Sequence, residues 1–154
     1  MPEMPEVQGL VEFLRGRLTG LEITKATVSA IAALKTYDPP ITALVGTRVT
    51  AAERHGKFVD LTTDAGIHLV FHLAKAGWLR WYDALSSTII RPGKTPIALR
   101  VGFADGAGFD LTEAGTKKSL AVYVVRDPAE VPGIARLGPD PLDPAFDRDA
   151  FAAL

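Results

Sequence analysis

The chain has 154 residues, 47% hydrophobic and 23% charged, with a net charge of −1 and a pI near 6.3. That is one domain's worth of chain, long enough to bury a core. With no cysteine it forms no disulfide and no thiolate metal site, and no apolar run reaches the roughly 20 residues of a membrane helix.

No charged-then-apolar leader opens the sequence, so a secretory signal is not expected and a reducing cytosol fits. The near-neutral total hides an uneven distribution. Arg54, His55, Lys57, Lys75, Arg80, Lys117 and Lys118 fall mid-chain, whereas Asp127, Glu130, Asp140, Asp143, Asp147 and Asp149 gather late. Phosphate binding depends on local positive charge, so a DNA-facing surface is compatible with this total.

Met1 is followed by Pro2, and a Met before a small residue is readily trimmed. The new terminus would be a secondary amine, a nucleophile toward aldehydes and aminals that forms an iminium ion without a lysine. Glu3 beside it could shuttle the protons such chemistry needs.

Pro5 and Glu6 read as a helix start. Val7, Leu10, Val11, Leu14 and Leu18 follow at helical spacing, and Gly20 ends the element. An amphipathic helix is therefore expected from Pro5 to Leu18. Strands are expected over 21–24, 41–45 (closed by Gly46), 57–61, 68–73, 78–82, 97–101 and 120–125. Asp64-Ala65-Gly66 supplies a hairpin turn. Many short strands with glycine punctuation predict a mainly β (α+β) fold: a two-layer antiparallel β-sandwich with an amino-terminal helix. Leu137-Gly138-Pro139-Asp140-Pro141-Leu142 reads as a rigid turn, and 147–154 as the first turns of another helix. The expected division is 1–136 for the sandwich domain and 137–154 for a linker and a helix belonging to something longer.

Four segments in order carry a resemblance: Pro2-Glu3-Met4-Pro5-Glu6-Val7; Arg54-His55-Gly56-Lys57-Phe58; His72-Leu73-Ala74-Lys75-Ala76-Gly77-Trp78-Leu79-Arg80; and Leu137-Gly138-Pro139-Asp140-Pro141-Leu142. Together they resemble the amino-terminal domain of the formamidopyrimidine-DNA glycosylase and endonuclease VIII family. The resemblance implies that Pro2 attacks C1′ of a damaged nucleotide, expels the base and forms a Schiff base. Glu3 would act as acid and base, and Lys57, on a strand, would contact phosphate near the lesion. β-Elimination, and often δ-elimination, would then nick the strand. The base must leave the stack for this chemistry. His72 is carried over as a phosphate contact. Lys75, Arg80, Lys117 and Lys118 are carried as DNA-facing cations, the last two as a solvated turn rather than a specific reader. The linker would introduce the family's helix–two-turn–helix domain.

Two segments depart from the family. Lys75 stands where many relatives have a wedging Met; its stem can fill space and its head reach phosphate, but it is a poorer apolar wedge. Glu113-Ala114-Gly115-Thr116-Lys117-Lys118 occupies the region of the family's Arg-Arg-Phe triplet, so lesion and opposite-base preference do not carry over. The implied zinc finger lies outside this chain, and no cofactor is expected within it. His68 and His72 are four apart, but on a strand they only share a face, and no metal is expected there. Phe71, Trp78, Trp81 and Tyr82 could be stacking platforms for bases, with core packing the default for aromatics at strand spacing. The implied partner is damaged double-stranded DNA, with no membrane, acting on a monomer in the cytoplasm at the nucleoid. The alternatives are a non-catalytic DNA-binding member, an inactive isolated domain, and a tautomerase-like enzyme. Against the last, tautomerase prolines lead into a strand, whereas Pro2 leads into a helix.

Overall fold

The computed structural model describes residues 2–91, 95–138, 140 and 142. Helix α1 (Met4–Leu18) forms where the sequence places it, beginning one residue earlier than expected. Glu3 is its N-cap, and the Glu6 carboxylate accepts a hydrogen bond from the Glu3 backbone N–H at 3.2 Å, satisfying a donor at the helix end. Val7, Val11, Leu14 and Leu18, on one face, are buried.

Among the described residues eight strands follow: β1 (Ile23–Val28), β2 (Val49–His55), β3 (Phe58–Thr63), β4 (His68–His72), β5 (Gly77–Tyr82), β6 (Ile97–Phe103), β7 (Gly108–Glu113) and β8 (Ala121–Val125). They form two four-stranded antiparallel sheets, ordered β1-β6-β7-β5 and β2-β3-β4-β8. Inward positions from both sheets make one core, in which Phe71 of β4 meets Phe109 of β7 with ring centroids 6.1 Å apart. The expected sandwich with an amino-terminal helix is the fold observed.

Helix α1 is fastened to both sheets. Arg15 donates twice to the carbonyl of Ala52 on β2, at 2.7 and 3.1 Å. Phe13 meets Trp81 of β5 edge-on at 5.4 Å, and the Arg17 guanidinium lies 5.1 Å from the same indole. Arg54 makes a further joint. Its side chain is 2% exposed; it donates to Gln8 of α1 at 2.8 Å, to the carbonyl of Gly56 at 2.8 Å, and to the Asp140 carboxylate.

The outer face of the second sheet carries a polar cluster. Asp60, 1% exposed, takes His55 Nε2 on one oxygen at 2.9 Å and His68 Nδ1 on the other at 2.8 Å. The Asp60 hydrogen bond raises the His55 pKa above its ordinary 6.5, against the opposing effect of burial. Beside this cluster, Val70, Val125 and Val131 form a small second core with Phe58, Tyr123 and Ile134, covered by the short helix α2 (Pro132–Ala135).

Several expectations need correction. Residues 41–45 are not a strand: Ile41–Leu44 is a 3-10 turn capped by Pro40. Pro39 and Pro40 supply no N–H for a ladder and fix φ, so the segment turns and buries Leu44. Lys57 is not on a strand but in the two-residue turn between β2 and β3, where Gly56 takes φ +60°. β2 and β7 are additional strands. The expected helix at 147–154 lies outside the described residues, as do Pro139 and Pro141 of the linker.

Replacing Arg54 with Ala should lower stability by about 3 kcal/mol, because buried acceptors lose their donor and Asp140 its partner; denaturant melts measure this. For His55, the raised pKa stabilises the fold fully below 6.5, and that contribution is lost as pH rises through the folded value. NMR titration should place its midpoint above 6.5, and Asp60→Asn should remove the upward shift.

Candidate functional site

Three elements meet at the start of α1. Pro2 sits half-buried immediately before the N-cap. The β2–β3 turn brings Lys57, and the end of β4 brings His72. Lys57 Nζ lies 3.6 Å from Glu3 Oε2. Pro2, Lys57 and His72 line one tight recess together with Val7, Leu73 and Ala74. The two catalytic candidates other than Pro2 are thus paired beside it, although they are 54 positions apart in sequence.

The turn after His72 is sterically constrained. Ala74 adopts φ +59°, a region costly for a residue with a Cβ. Its N–H donates to His72 Nδ1 at 3.0 Å, which leaves Nε2 as the protonated, donating nitrogen of the neutral ring. Gly77 closes the turn where a Cβ would come within 2.0 Å of the Leu73 carbonyl oxygen; only glycine fits. Burial, and then the nearby Lys57 charge, lower the His72 pKa below its ordinary 6.5. At neutral pH His72 is therefore an uncharged hydrogen-bond donor beside a cationic lysine.

A second, small cleft of about 50 Å³ also borders Pro2, lined by Glu6, Val7, Leu10, Leu73, Trp78 and Leu79. Trp78 is 55% exposed, so the core default fails for it. The default holds for Phe71, which is fully buried; Trp81 and Tyr82 are half-buried.

The other expected DNA-facing cations are distributed more widely. Lys75 is exposed at the β4–β5 turn and lines an open hollow of about 400 Å³ with Lys117 and the 113–116 backbone. Glu113 organises that neighbouring loop: its buried carboxylate accepts from the backbone N–H groups of Ser119 and Leu120 at 2.8 and 2.9 Å. Its carbonyl accepts from Lys118 Nζ at 2.7 Å. Lys118 is thereby folded back, beside a different cavity of about 410 Å³ that it lines with Lys35 and Ser29. Arg80 is exposed on β5, paired across the ladder with Asp110, and borders neither recess at Pro2. Arg54, expected only as one of the mid-chain cations, is instead buried and bonded within the fold, and Glu113 and Gln8 had no expected role. A carboxylate closing a strand just before a glycine-containing loop is the available signal for Glu113.

Among the described residues, Glu53, His55 and Asp60 bring ligand-type atoms within 4.8 Å of one another. The Asp60 oxygens are already engaged by two imidazoles, and the group shares no residue with the recesses at Pro2. The two histidines four apart have separate surroundings: His68 on Asp60, and His72 in the recess with Pro2.

The model of the formamidopyrimidine-DNA glycosylase N-terminal domain matches residues 1–119. The formamidopyrimidine-DNA glycosylase of Salinispora arenicola is 32% identical over 162 residues, covering 99% of this chain and 53% of that protein. The Moorella thermoacetica enzyme is 32% identical over 161 residues, covering 100% and 55%. The chain thus spans about half the length of the curated relatives it matches. Among solved structures, the Lactococcus lactis enzyme non-covalently bound to abasic-site DNA superposes with a TM-score of 0.78 at 20% identity, covering 99% of this chain and 56% of that one. MutM in complex with DNA containing carbocyclic 8-oxo-G gives 0.78 at 19%. At that identity the structural likeness speaks to fold. Together with the domain match and the relatives above 30% identity, it leads to one conclusion: the chain belongs to the formamidopyrimidine-DNA glycosylase family, and what it carries is the amino-terminal domain.

Proposed function

We propose that this domain supplies the reactive centre of a base-excision DNA glycosylase with abasic-site lyase activity. The observation that carries the reading is the grouping of Pro2 with the Glu3–Lys57 pair and neutral His72. Once Met1 is removed, the Pro2 nitrogen is a secondary amine at the positive end of α1. An α-amine ordinarily titrates near 7.7–8, and the positive helix end disfavours its protonation, which favours the free base.

The amine attacks C1′ of the damaged nucleotide, and the bond from C1′ to the base breaks as the base departs with a proton. Glu3 moves protons during base release and sugar opening, which leaves an iminium between Pro2 and C1′. Loss of a C2′ proton then expels the 3′ phosphate by β-elimination. Lys57 gives the recess the positive charge a phosphate needs, and His72 offers a neutral N–H without adding charge.

The substrate on this reading is damaged double-stranded DNA, engaged by a monomer at the nucleoid. No helix among the described residues is long and apolar enough to cross a membrane. A second reading, a member that binds DNA without excision, is favoured by Lys75 at the exposed turn and by the lysine-bearing 113–118 loop.

Protein beginning at Pro2 should nick a duplex at a preformed abasic site, and Pro2→Gly should slow this at least 100-fold while DNA binding persists. Equal nicking by the variant removes the lyase reading; binding with no nicking by either protein favours the second. Glu3→Gln should slow single-turnover base release by roughly 100-fold or more, the range typical of lost general acid–base catalysis. In NMR titrations His72 should stay neutral below pH 6.5. Lys57→Gln should raise its midpoint only part of the way back, because burial is the larger cause. A folded pKa below the unfolded one also means that the His72 contribution to stability is present above 6.5 and lost as pH falls.

A further inference from the structure

Pro2 borders two recesses of unlike chemistry, which share Val7 and Leu73. One presents Lys57, a cation, and His72, a neutral N–H donor. The other adds Leu10, Leu79, Trp78 and one carboxylate, Glu6. The atom that Pro2 would attack, C1′, carries the base directly, while the phosphates branch from the far side of the sugar. With C1′ at the Pro2 nitrogen, base and phosphate must therefore leave in different directions. A phosphate is favoured beside Lys57 and repelled by Glu6; a flat, uncharged base is suited to the apolar side.

We propose that Trp78 is a base-binding wall against which the extruded base stacks beside Pro2. The inference rests on the glycosylase reading and adds to it the residue that holds the base. Three features support it. Trp78 is 55% exposed, whereas its neighbour Leu79 points into the core, as strand alternation requires. Among the described residues no aromatic ring packs on it, while Trp81 on the same strand is engaged by Phe13, Phe103 and Arg17. The constrained Ala74–Gly77 turn sets where β5 begins, and so fixes the indole relative to Pro2. The cleft is small, about 50 Å³, so the indole offers one face of a shelf and not a closed box. Aromatic stacking tolerates any base and adds about 1–3 kcal/mol per base.

The test compares equilibrium binding, by protein beginning at Pro2, to two kinds of duplex. One retains an oxidised purine or pyrimidine on a non-cleavable sugar, using whichever lesion the unmodified protein binds more tightly. The other carries a tetrahydrofuran abasic analogue. Trp78→Ala should weaken binding to the first by roughly tenfold or more and leave the second within about twofold, with the melting temperature unchanged. Trp78→Phe should retain most of the affinity. Equal losses on both duplexes, no loss on either, or a Phe variant as weak as the Ala variant would overturn the proposal while leaving the glycosylase reading in place. Failure of the unmodified protein to prefer the abasic duplex over undamaged DNA would overturn that reading, and this proposal with it.

Discussion

The buried Arg54 guanidinium is the joint on which the site depends. The amino terminus of a chain is ordinarily its least ordered part, yet the proposed nucleophile lies there and would have to be held in place. Arg54 reaches Gln8 on α1, the Gly56 carbonyl in the turn that carries Lys57, and Asp140 in the carboxy-terminal segment. One planar group with fixed donor directions therefore ties together the helix behind Pro2, the turn that brings Lys57, and the segment at Asp140. A lysine could not replace it, since its point charge lacks the fork that addresses three acceptors at once.

Around that joint, charge is divided in a way that suits attack at a sugar carbon. Lys57 pairs with Glu3, so one catalytic candidate steadies another. His72 is kept neutral by burial and by Lys57, and its tautomer is set by the Ala74 N–H. The strained Ala74 and the obligatory Gly77 show that the β4–β5 turn is tightly determined. That turn presents Lys75 on one side and Trp78 on the other. The loop held by Glu113 stands beside Lys75, so the two segments that depart most from the family pattern are neighbours in space.

Much of this was legible in the sequence, and the exceptions have physical reasons. Helix α1 was clear because Val7, Val11, Leu14 and Leu18 keep a strict period. The β3–β4 hairpin was clear from Asp64-Ala65-Gly66 between two apolar runs. β7 was obscured because Asp110 sits in its centre; its carboxylate is buried only because Arg100 grips both oxygens, at 2.7 and 2.8 Å, a partner 10 residues away. β2 was obscured because its inward positions are mostly small or polar. The segment 41–45 looked like a strand on composition, but the prolines before it decide the backbone. That Glu3 and Lys57 belong to one site was implied only by the family resemblance, and their pairing was not expected at all, since local patterning says nothing about contacts so distant in sequence. The exposure of Trp78 could not be read at all: an aromatic on an edge strand faces in or out according to register, which the turn at Gly77 sets.

The most direct test of the central claim is borohydride reduction of the protein incubated with abasic-site DNA, followed by mass spectrometry of the cross-linked peptide. The terminus must first be shown to begin at Pro2. An adduct mapped to the Pro2 peptide is the result this account requires. An adduct on a lysine, or none from protein that demonstrably binds the same duplex, would contradict it.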